Sequence, residues 1–527
     1  MPDARCPITY DIGIMSNSKT RRVLLALCAF ALVMNLWGIR RDLPYVHNYD
    51  EQPFVLTAYG MAVTGGWDPH WFGHPGTTMI YPLRVLFSCW IAYAHGGRDF
   101  LQAAVASPEV AFQAKSYEYF YLGRLLSIAY LVASVPVLCF MARRMFGGRT
   151  AVWGSLLWIV MPLIVAQAQI TRSDTAVMFF GYMAIGLLFR YLEAPSQKLR
   201  LWVAAMIGCA VSSHYKMACL GPLWFWTEWH VCRQKKLVET PSRQLLQVFT
   251  AGLFCGLVFL VLNPYLFVHL DAVRKNLASE TPLQHPGADG LTPMGNLSWY
   301  LFEAIPGAFG WIAYALAGAG GVLVLFRGTF GQKLLPGFIA LYLFGIMWSP
   351  LHWDRWITVI LPALCFLAIH ALFKLLGRFP EHHRRWPQVA GLAVILLPPF
   401  HQLVFQNIRN ASFNTRMQAF EWVLKNVPKG SKIAYEWYTV PFKNQPYYQA
   451  VEVHALPAHG DLKTYRLSGY HYLIVSSNMY HRFLDDPKRF KLEARFYQDL
   501  FSSGNLQAAF VPSSTVGGSE IRVYRID

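Results

Sequence analysis

Along this chain of 527 residues, groups able to do acid, base or ion-pair chemistry are scarce and unevenly placed. Asp50 and Glu51 stand side by side in Tyr49-Asp50-Glu51-Gln52-Pro53-Phe54. His74 lies in Phe72-Gly73-His74-Pro75-Gly76, and Arg172 and Asp174 share the stretch Thr171-Arg172-Ser173-Asp174-Thr175. His214 and Lys216 flank Tyr215, while His352, Asp354 and Arg355 crowd together further on. A carboxylate can serve as a general base, and lysine, arginine and histidine can hold a phosphate through charge-assisted hydrogen bonds. Each residue also has a plainer reading. Asp50–Glu51 can solvate a loop and balance Arg40 and Arg41, Arg172 and Asp174 can close a turn as a salt bridge, and Lys216 can reach toward lipid headgroups. His74 can be an ordinary loop histidine, and His352-Trp353-Asp354-Arg355 an interfacial anchor with a local ion pair.

The elements that must position these residues are apolar. Hydrophobic residues make up 54% of the chain, aromatics 15% and charged residues only 14%. A soluble domain carries about a quarter charged residues, so most of this surface is not built for water. The net charge of +17 does not indicate nucleic acid, because the cations sit in short runs between apolar segments, the pattern of bilayer orientation. The nine cysteines occur singly, mostly inside apolar stretches, without a CxxC pair. Neither a zinc site nor a disulfide framework is implied.

A span needs about 20 mainly apolar residues. Candidates fall at 23–39, 122–141, 151–167, 175–191, 201–213, 217–231, 245–269, 305–326, 334–350, 356–376 and 386–405, about eleven in all. The fifth and sixth are short and read as a hairpin meeting near His214–Lys216. The first lacks a small-residue cleavage site and is not a signal peptide. Basic residues at 19–22, 143–149, 190–200, 233–236, 327–333 and 374–385 fall on alternate loops. That places the amino terminus in the cytoplasm and the carboxyl terminus outside; Arg40 and Arg41 break the pattern. Residues 1–409 form the membrane domain. Its first outer loop, 42–121, is too long for a connector and carries two helical segments, 52–63 and 78–94, suited to lying in the interface. Residues 271–298, rich in Pro, Gly and His, are expected to be a mobile loop. Residues 410–527 are expected to form a soluble α/β domain, with helices at 415–426 and 487–502 and strands at 432–436, 472–476 and 521–526. Tyr447, Tyr448, His454 and His459 there can bind glycan or simply line a solvated loop, and Asn410-Ala411-Ser412 fits a glycosylation sequon.

On this topology Asp50, Glu51, His74, Arg172, Asp174, His214, Lys216, His352 and Arg355 share one extracytoplasmic layer, and ionisable groups at that depth are functional candidates. The motifs that carry them resemble those of GT-C glycosyltransferases, the superfamily of protein O-mannosyltransferases and lipid A aminoarabinose transferases. Tyr49-Asp50-Glu51-Gln52-Pro53-Phe54 resembles the acidic first-loop motif, and Gly65-Gly66-Trp67 with His74-Pro75 its continuation, His74-Pro75-Gly76 replacing the usual doubled proline. Arg172-Ser173-Asp174 resembles the second-loop acidic motif, His214-Tyr215-Lys216 the lysine between two short spans, and Arg355 with Leu361-Pro362 the late arginine-bearing helix. The resemblance extends over nearly all the membrane portion, and the tail resembles soluble tails of bacterial members.

What the resemblance implies is a polytopic α-helical enzyme of the bacterial inner (plasma) membrane, its site extracytoplasmic. It would take a polyprenyl-phosphate-linked sugar donor and perform an inverting transfer to a glycolipid, polysaccharide or protein acceptor, with no nucleic acid partner. Asp50, held near Glu51 and able to share a proton with it, is the expected base. Asp174 would orient the acceptor or a cation. Lys216 and Arg355, with Arg172, His74, His214 and His352, would meet the phosphate and sugar. Asp50 with Asp174 or His74 also offers oxygen and imidazole ligands for a divalent cation, without the tight spacing that marks a metal site. A transporter or lipid flippase is the main alternative, yet it needs polar groups near the midplane, and here they gather at one end. An assembly scaffold would explain the tail but not the layered charges.

Overall fold

The computed structural model describes residues 18–44, 48–97, 104–105, 108–235, 241–439, 442 and 445–527. A first long helix, α1 (Ser18–Leu36), is followed by α2 (Gln52–Thr64) and α3 (Thr77–Ala94), which pack against each other. These two match the helical segments expected in the first loop. Gly76 begins α3 at φ +57°, where a side chain would run into the Phe54 ring; only glycine suits that corner. Next come α4 (Pro108–Phe146), α5 (Gly148–Ile159), α6 (Pro162–Ala168), α7 (Asp174–Glu193), α8 (Gln197–Ser213), α9 (Leu220–Lys235) and α10 (Pro241–Leu262). After α11 (Leu270–Glu280) and α12 (Pro293–Trp299) come α13 (Ile305–Phe309), α14 (Trp311–Arg327), α15 (Phe330–Ile346), α16 (Leu361–Leu376) and α17 (Glu381–Ala411).

Burial divides these helices into two kinds. α16 is buried around nearly its whole circumference and packs against α14 and α5 at the bundle centre. α10 is also apolar yet exposes Leu245, Leu246, Phe249, Leu253, Leu257 and Val261. An apolar strip of that extent facing outward is matched to lipid rather than water. Among the described residues, four helices are long and apolar enough to cross a membrane, or up to six if each of two bent pairs counts as one. Three expected spans are redrawn. The stretch 151–167 is broken between Ile159 and Pro162, its two parts bent by 65°. The stretch 305–326 is interrupted at Gly310, at φ +80°, and the paths before and after it diverge by 118°. The stretch 245–269 stops being α-helical at Leu262, just before Asn263-Pro264; the residue before a proline is pushed out of the helical region. Residues 271–298 also depart from an unstructured loop, since α11 and α12 occupy much of them.

The basic loops meet at one end of the bundle. There Arg143 donates to Thr20, Arg144 pairs with Glu193, and Arg149 donates to Gln388 while lying over Phe373. At the opposite end lie Asp50, Arg172 and Arg355, and against them sits the carboxyl-terminal unit. It comprises α18 (Thr415–Asn426), α19 (Leu462–Leu467), α20 (Ser477–Leu484) and α21 (Lys491–Ser503) around strands β1 (Lys432–Glu436), β2 (Gln449–Val453), β3 (Tyr472–Ser476), β4 (Asn505–Phe510) and β5 (Ile521–Arg525). The sheet order is β2-β1-β3-β5-β4, with β2, β1 and β3 parallel and β5 antiparallel to β3 and β4. The α/β character appears, with β1 and β3 at the expected bounds and β5 ending one residue early, at Arg525; β2 and β4, with their exposed residues, lack clean alternation. The helix expected at 487–502 begins at Lys491.

One buried ion pair joins the first loop to the bundle. Glu51, fully buried, receives Arg124 on both oxygens, at 2.7 and 3.0 Å, and Arg124 also donates to the carbonyls of Ile39 and Arg41. Removing one member strands the other charge, at a cost of about 3–5 kcal/mol. Glu51→Gln or Arg124→Met should therefore lower the thermal midpoint of the detergent-purified chain sharply, with the double variant recovering part of the loss. Breaking the half-exposed pair Arg144–Glu193, worth about 0–1 kcal/mol, should barely move it. Equal effects at the two sites would contradict the structural weight given to Glu51.

Candidate active site

The site is assembled by short turns at helix starts. Asn48 caps the turn Tyr49–Glu51 by accepting from the Asp50 amide at 3.1 Å, and Pro53 opens α2 directly behind it. Asp50 and Glu51 consequently point to different tasks. Besides Arg124, Glu51 accepts the backbone N–H of Thr171 at 2.9 Å, which holds the turn before α7 beside the first loop. Both Glu51 oxygens thus accept from Arg124 and the Thr171 amide.

That positioning sets Arg172 opposite Asp50. Oδ2 of Asp50 accepts from Arg172 Nη1 at 2.9 Å and lies 3.0 Å from Nη1 of Arg355, which comes from the helical turn leading into α16. Burial alone would raise the Asp50 carboxyl, but Arg172 and Arg355 outweigh it and hold it below the usual carboxylate range. Its side chain nevertheless keeps 42% of its exposure, so the carboxylate faces open space inside the cluster. Asp174, first residue of α7, lies 3.2 Å from Arg172 Nε without hydrogen-bond alignment, leaving both atoms with capacity for another partner. The salt-bridge reading of Arg172 and Asp174 thus holds in part, with Asp50 as the better-aligned acceptor.

Three more expected residues join from α8 and the first loop. His214 ends α8 and accepts the Lys216 amide on Nδ1 at 3.3 Å. The His74 ring stacks on His214 with centroids 4.9 Å apart and an interplanar angle of 11°. Burial, then Arg172 and Lys216, push His74 down to about 3, so it is neutral and its buried Nε2 has no partner. Lys216 Nζ sits 2.9 Å from the centre of the Trp356 ring, in cation–π contact. Burial and the neighbouring Arg355 force the Lys216 ammonium well below its ordinary range. Burial and Arg172 lower Arg355 likewise, and its buried Nε is unpartnered. Cations strained by one another and by burial are relieved by a bound anion.

His352 does not join this cluster. It packs on Trp299 with ring centroids 4.6 Å apart, and it lines a cavity of about 620 Å³ with Asn478, His481 and Arg482 of the carboxyl-terminal unit. A divalent cation fits poorly at Asp50, because two guanidiniums already occupy its oxygen and Lys216 and the rest of the cluster add like charge.

Three residues of the site escaped the sequence reading. Glu280, at the end of α11, lies 3.9 Å from His74, and its carboxyl fills the space that a side chain at Gly73 would need. Burial raises its carboxyl above the usual carboxylate range despite Arg172. Trp356 carries Lys216. Arg124 was detectable, as a lone charge inside an apolar span. Tyr49, next to Asp50, stacks on Trp437 of the carboxyl-terminal unit at 4.1 Å and donates to Glu452 at 2.6 Å.

The model of the dolichyl-phosphate-mannose-protein mannosyltransferase family matches residues 121–262, the segment holding Arg172, Asp174, His214 and Lys216. Among solved structures, ArnT from Cupriavidus metallidurans bound to undecaprenyl phosphate superposes with a TM-score of 0.53 at 13% identity, covering 96% of this chain and 98% of that one. The apo oligosaccharyltransferase of Archaeoglobus fulgidus gives 0.53 at 12% identity, covering 94% of this chain and 74% of its own. No curated protein matches the chain by sequence. The fold is that of the GT-C glycosyltransferases, as the motifs implied, and the chain is a polytopic helical membrane protein.

Replacing Arg355 with Gln takes one guanidinium off Asp50 and should move ionisation of that carboxyl upward. Infrared titration, read as the difference from an Asp50→Asn control, measures the shift; an unchanged midpoint would contradict the pairing.

Proposed function

We propose that the chain is an inverting glycosyltransferase that moves a sugar from a polyprenyl-phosphate carrier to an acceptor hydroxyl on the extracytoplasmic face of the bacterial inner membrane. The observation that carries this reading is the cluster itself: a carboxylate accessible to ligand, beside Arg172, Arg355 and Lys216, whose charges burial and mutual repulsion leave unsatisfied. ArnT in its crystal structure holds undecaprenyl phosphate, the kind of lipid phosphate such a cluster suits. The archaeal oligosaccharyltransferase has been captured with a tethered acceptor peptide.

In this mechanism the donor phosphate rests among Arg355, Lys216 and Arg172, its tail leaving laterally between helices. The acceptor hydroxyl approaches the anomeric carbon from the opposite side, with Asp174 orienting it or a neighbouring cation. As the new carbon–oxygen bond forms, the bond from the anomeric carbon to the phosphate oxygen breaks and its electron pair leaves with the polyprenyl phosphate. The hydroxyl proton passes to Asp50. Charge on the departing phosphate grows in this step, and each well-placed donor there is worth about 3 kcal/mol. Donor binding also tunes the base: when a guanidinium turns from Asp50 to the phosphate, the carboxyl loses a lowering partner and gains a nearby anion, so its basicity rises.

Asp50→Asn should reduce transfer by about 10²–10⁴-fold while leaving the monodisperse, folded chain intact. Lys216→Gln should cost about 10²-fold. The assay uses polyprenyl-phosphate sugar in sealed vesicles, with acceptor supplied from the extracytoplasmic side. Near-normal turnover by Asp50→Asn would remove it as base, and turnover only with acceptor on the cytoplasmic side would overturn the orientation.

A further inference from the structure

Away from the cluster around Asp50, a second group of side chains meets at the foot of α11. We propose that Asp68, His70 and His269 form a zinc-class divalent metal site that staples the first outer loop to α11. Their ligand atoms all lie within 4.8 Å of one another. His269 Nε2 is 2.6 Å from Asp68 Oδ2, and His70 Nδ1 is 3.6 Å from Asp68 Oδ1. In a tetrahedral zinc site, ligand atoms 2.0–2.2 Å from the metal stand about 3.4 Å apart, so modest side-chain rotations seat all three. Two imidazoles and one carboxylate are a donor set suited to zinc, and three protein ligands leave the remaining position open to water. The backbone already gathers the pair from the loop: His70 takes φ +50° and donates its amide to Asp68 Oδ1 at 3.0 Å.

The surroundings show what such a staple would secure. α11 has no buried residue, so apolar packing does little to fix it. Its described attachments to the loop are polar: Asn276 accepts the Phe72 amide at 2.7 Å, and Glu280 packs against Gly73 and His74. A metal joining residues 68–70 to 269 closes one end of that seam. It thereby fixes the helix that carries Glu280 to the Asp50 cluster. Sequence alone hid the site, since its members stand some two hundred positions apart. This is a different place from the Asp50–Asp174–His74 set considered for a cation above, and it stands independently of the transferase reading.

The test uses the full-length, tag-free chain, stripped with chelator and titrated with zinc chloride by calorimetry, with X-ray absorption on the loaded sample. Expected are one zinc per chain, two imidazole ligands in the absorption spectrum, and a thermal midpoint that rises on loading. His269→Ala and His70→Ala should each weaken binding at least tenfold and abolish the thermal rise. His70 is 76% exposed, so its removal leaves folding intact and keeps the result readable. Failure of the parent chain to bind zinc, or unchanged binding by both variants, would overturn the proposal.

Discussion

A single carboxylate oxygen organises this end of the molecule. Oδ2 of Asp50 is shared by Arg172 and Arg355, so three segments far apart in sequence converge on one atom: the turn after α1, the turn before α7 and the turn before α16. The first and last of these are short 3-10 turns, Tyr49–Glu51 and Asp354–Val359. Glu51 supplies the complementary constraint, using Arg124 and the Thr171 amide to set the spacing between the first loop and the bundle. Adjacent residues thus divide the labour, one buried and structural, the other open to a ligand.

The charges of the cluster are balanced only approximately. Arg172, Arg355 and Lys216 face Asp50, Asp174 and Glu280, while His74 is held neutral by burial and its cationic neighbours. Burial raises Glu280 toward its neutral form and lowers Lys216 and Arg355 toward theirs. A bound anion would relieve the lowered cations Lys216 and Arg355. The carboxyl-terminal unit reaches the same turn through Trp437 stacked on Tyr49 and Glu452 of β2 accepting from it, next to Asp50.

Much of this was legible in the sequence because an apolar chain makes its few ionisable residues conspicuous. Asp50, Arg172, Lys216 and Arg355 stood out between apolar stretches, and alternating basic loops put them at one end. Partnership was harder to read. Glu51 looked like a companion for Asp50 because they are neighbours, whereas its actual partner, Arg124, lies inside a helix that scans simply as apolar. Glu280 was hidden in a segment whose Pro, Gly and His content masked the helix α11. The break at Gly310 was equally obscure, since hydropathy averages over a bend and α14 continues the apolar run past it. His352 shared the expected layer but not the cluster, as depth in the membrane does not fix position around the bundle.

The central claim is that Arg172 and Arg355 are shared between Asp50 and the lipid phosphate of the donor. It is tested most directly by the affinity of the purified chain for polyprenyl phosphate, measured for the parent, for Asp50→Asn and for Arg355→Gln. Removing the competing carboxylate should tighten binding several-fold to about tenfold, because an anion 3–4 Å from the guanidiniums no longer repels the phosphate, while Arg355→Gln should weaken it. Unchanged or weaker binding by Asp50→Asn would contradict the account.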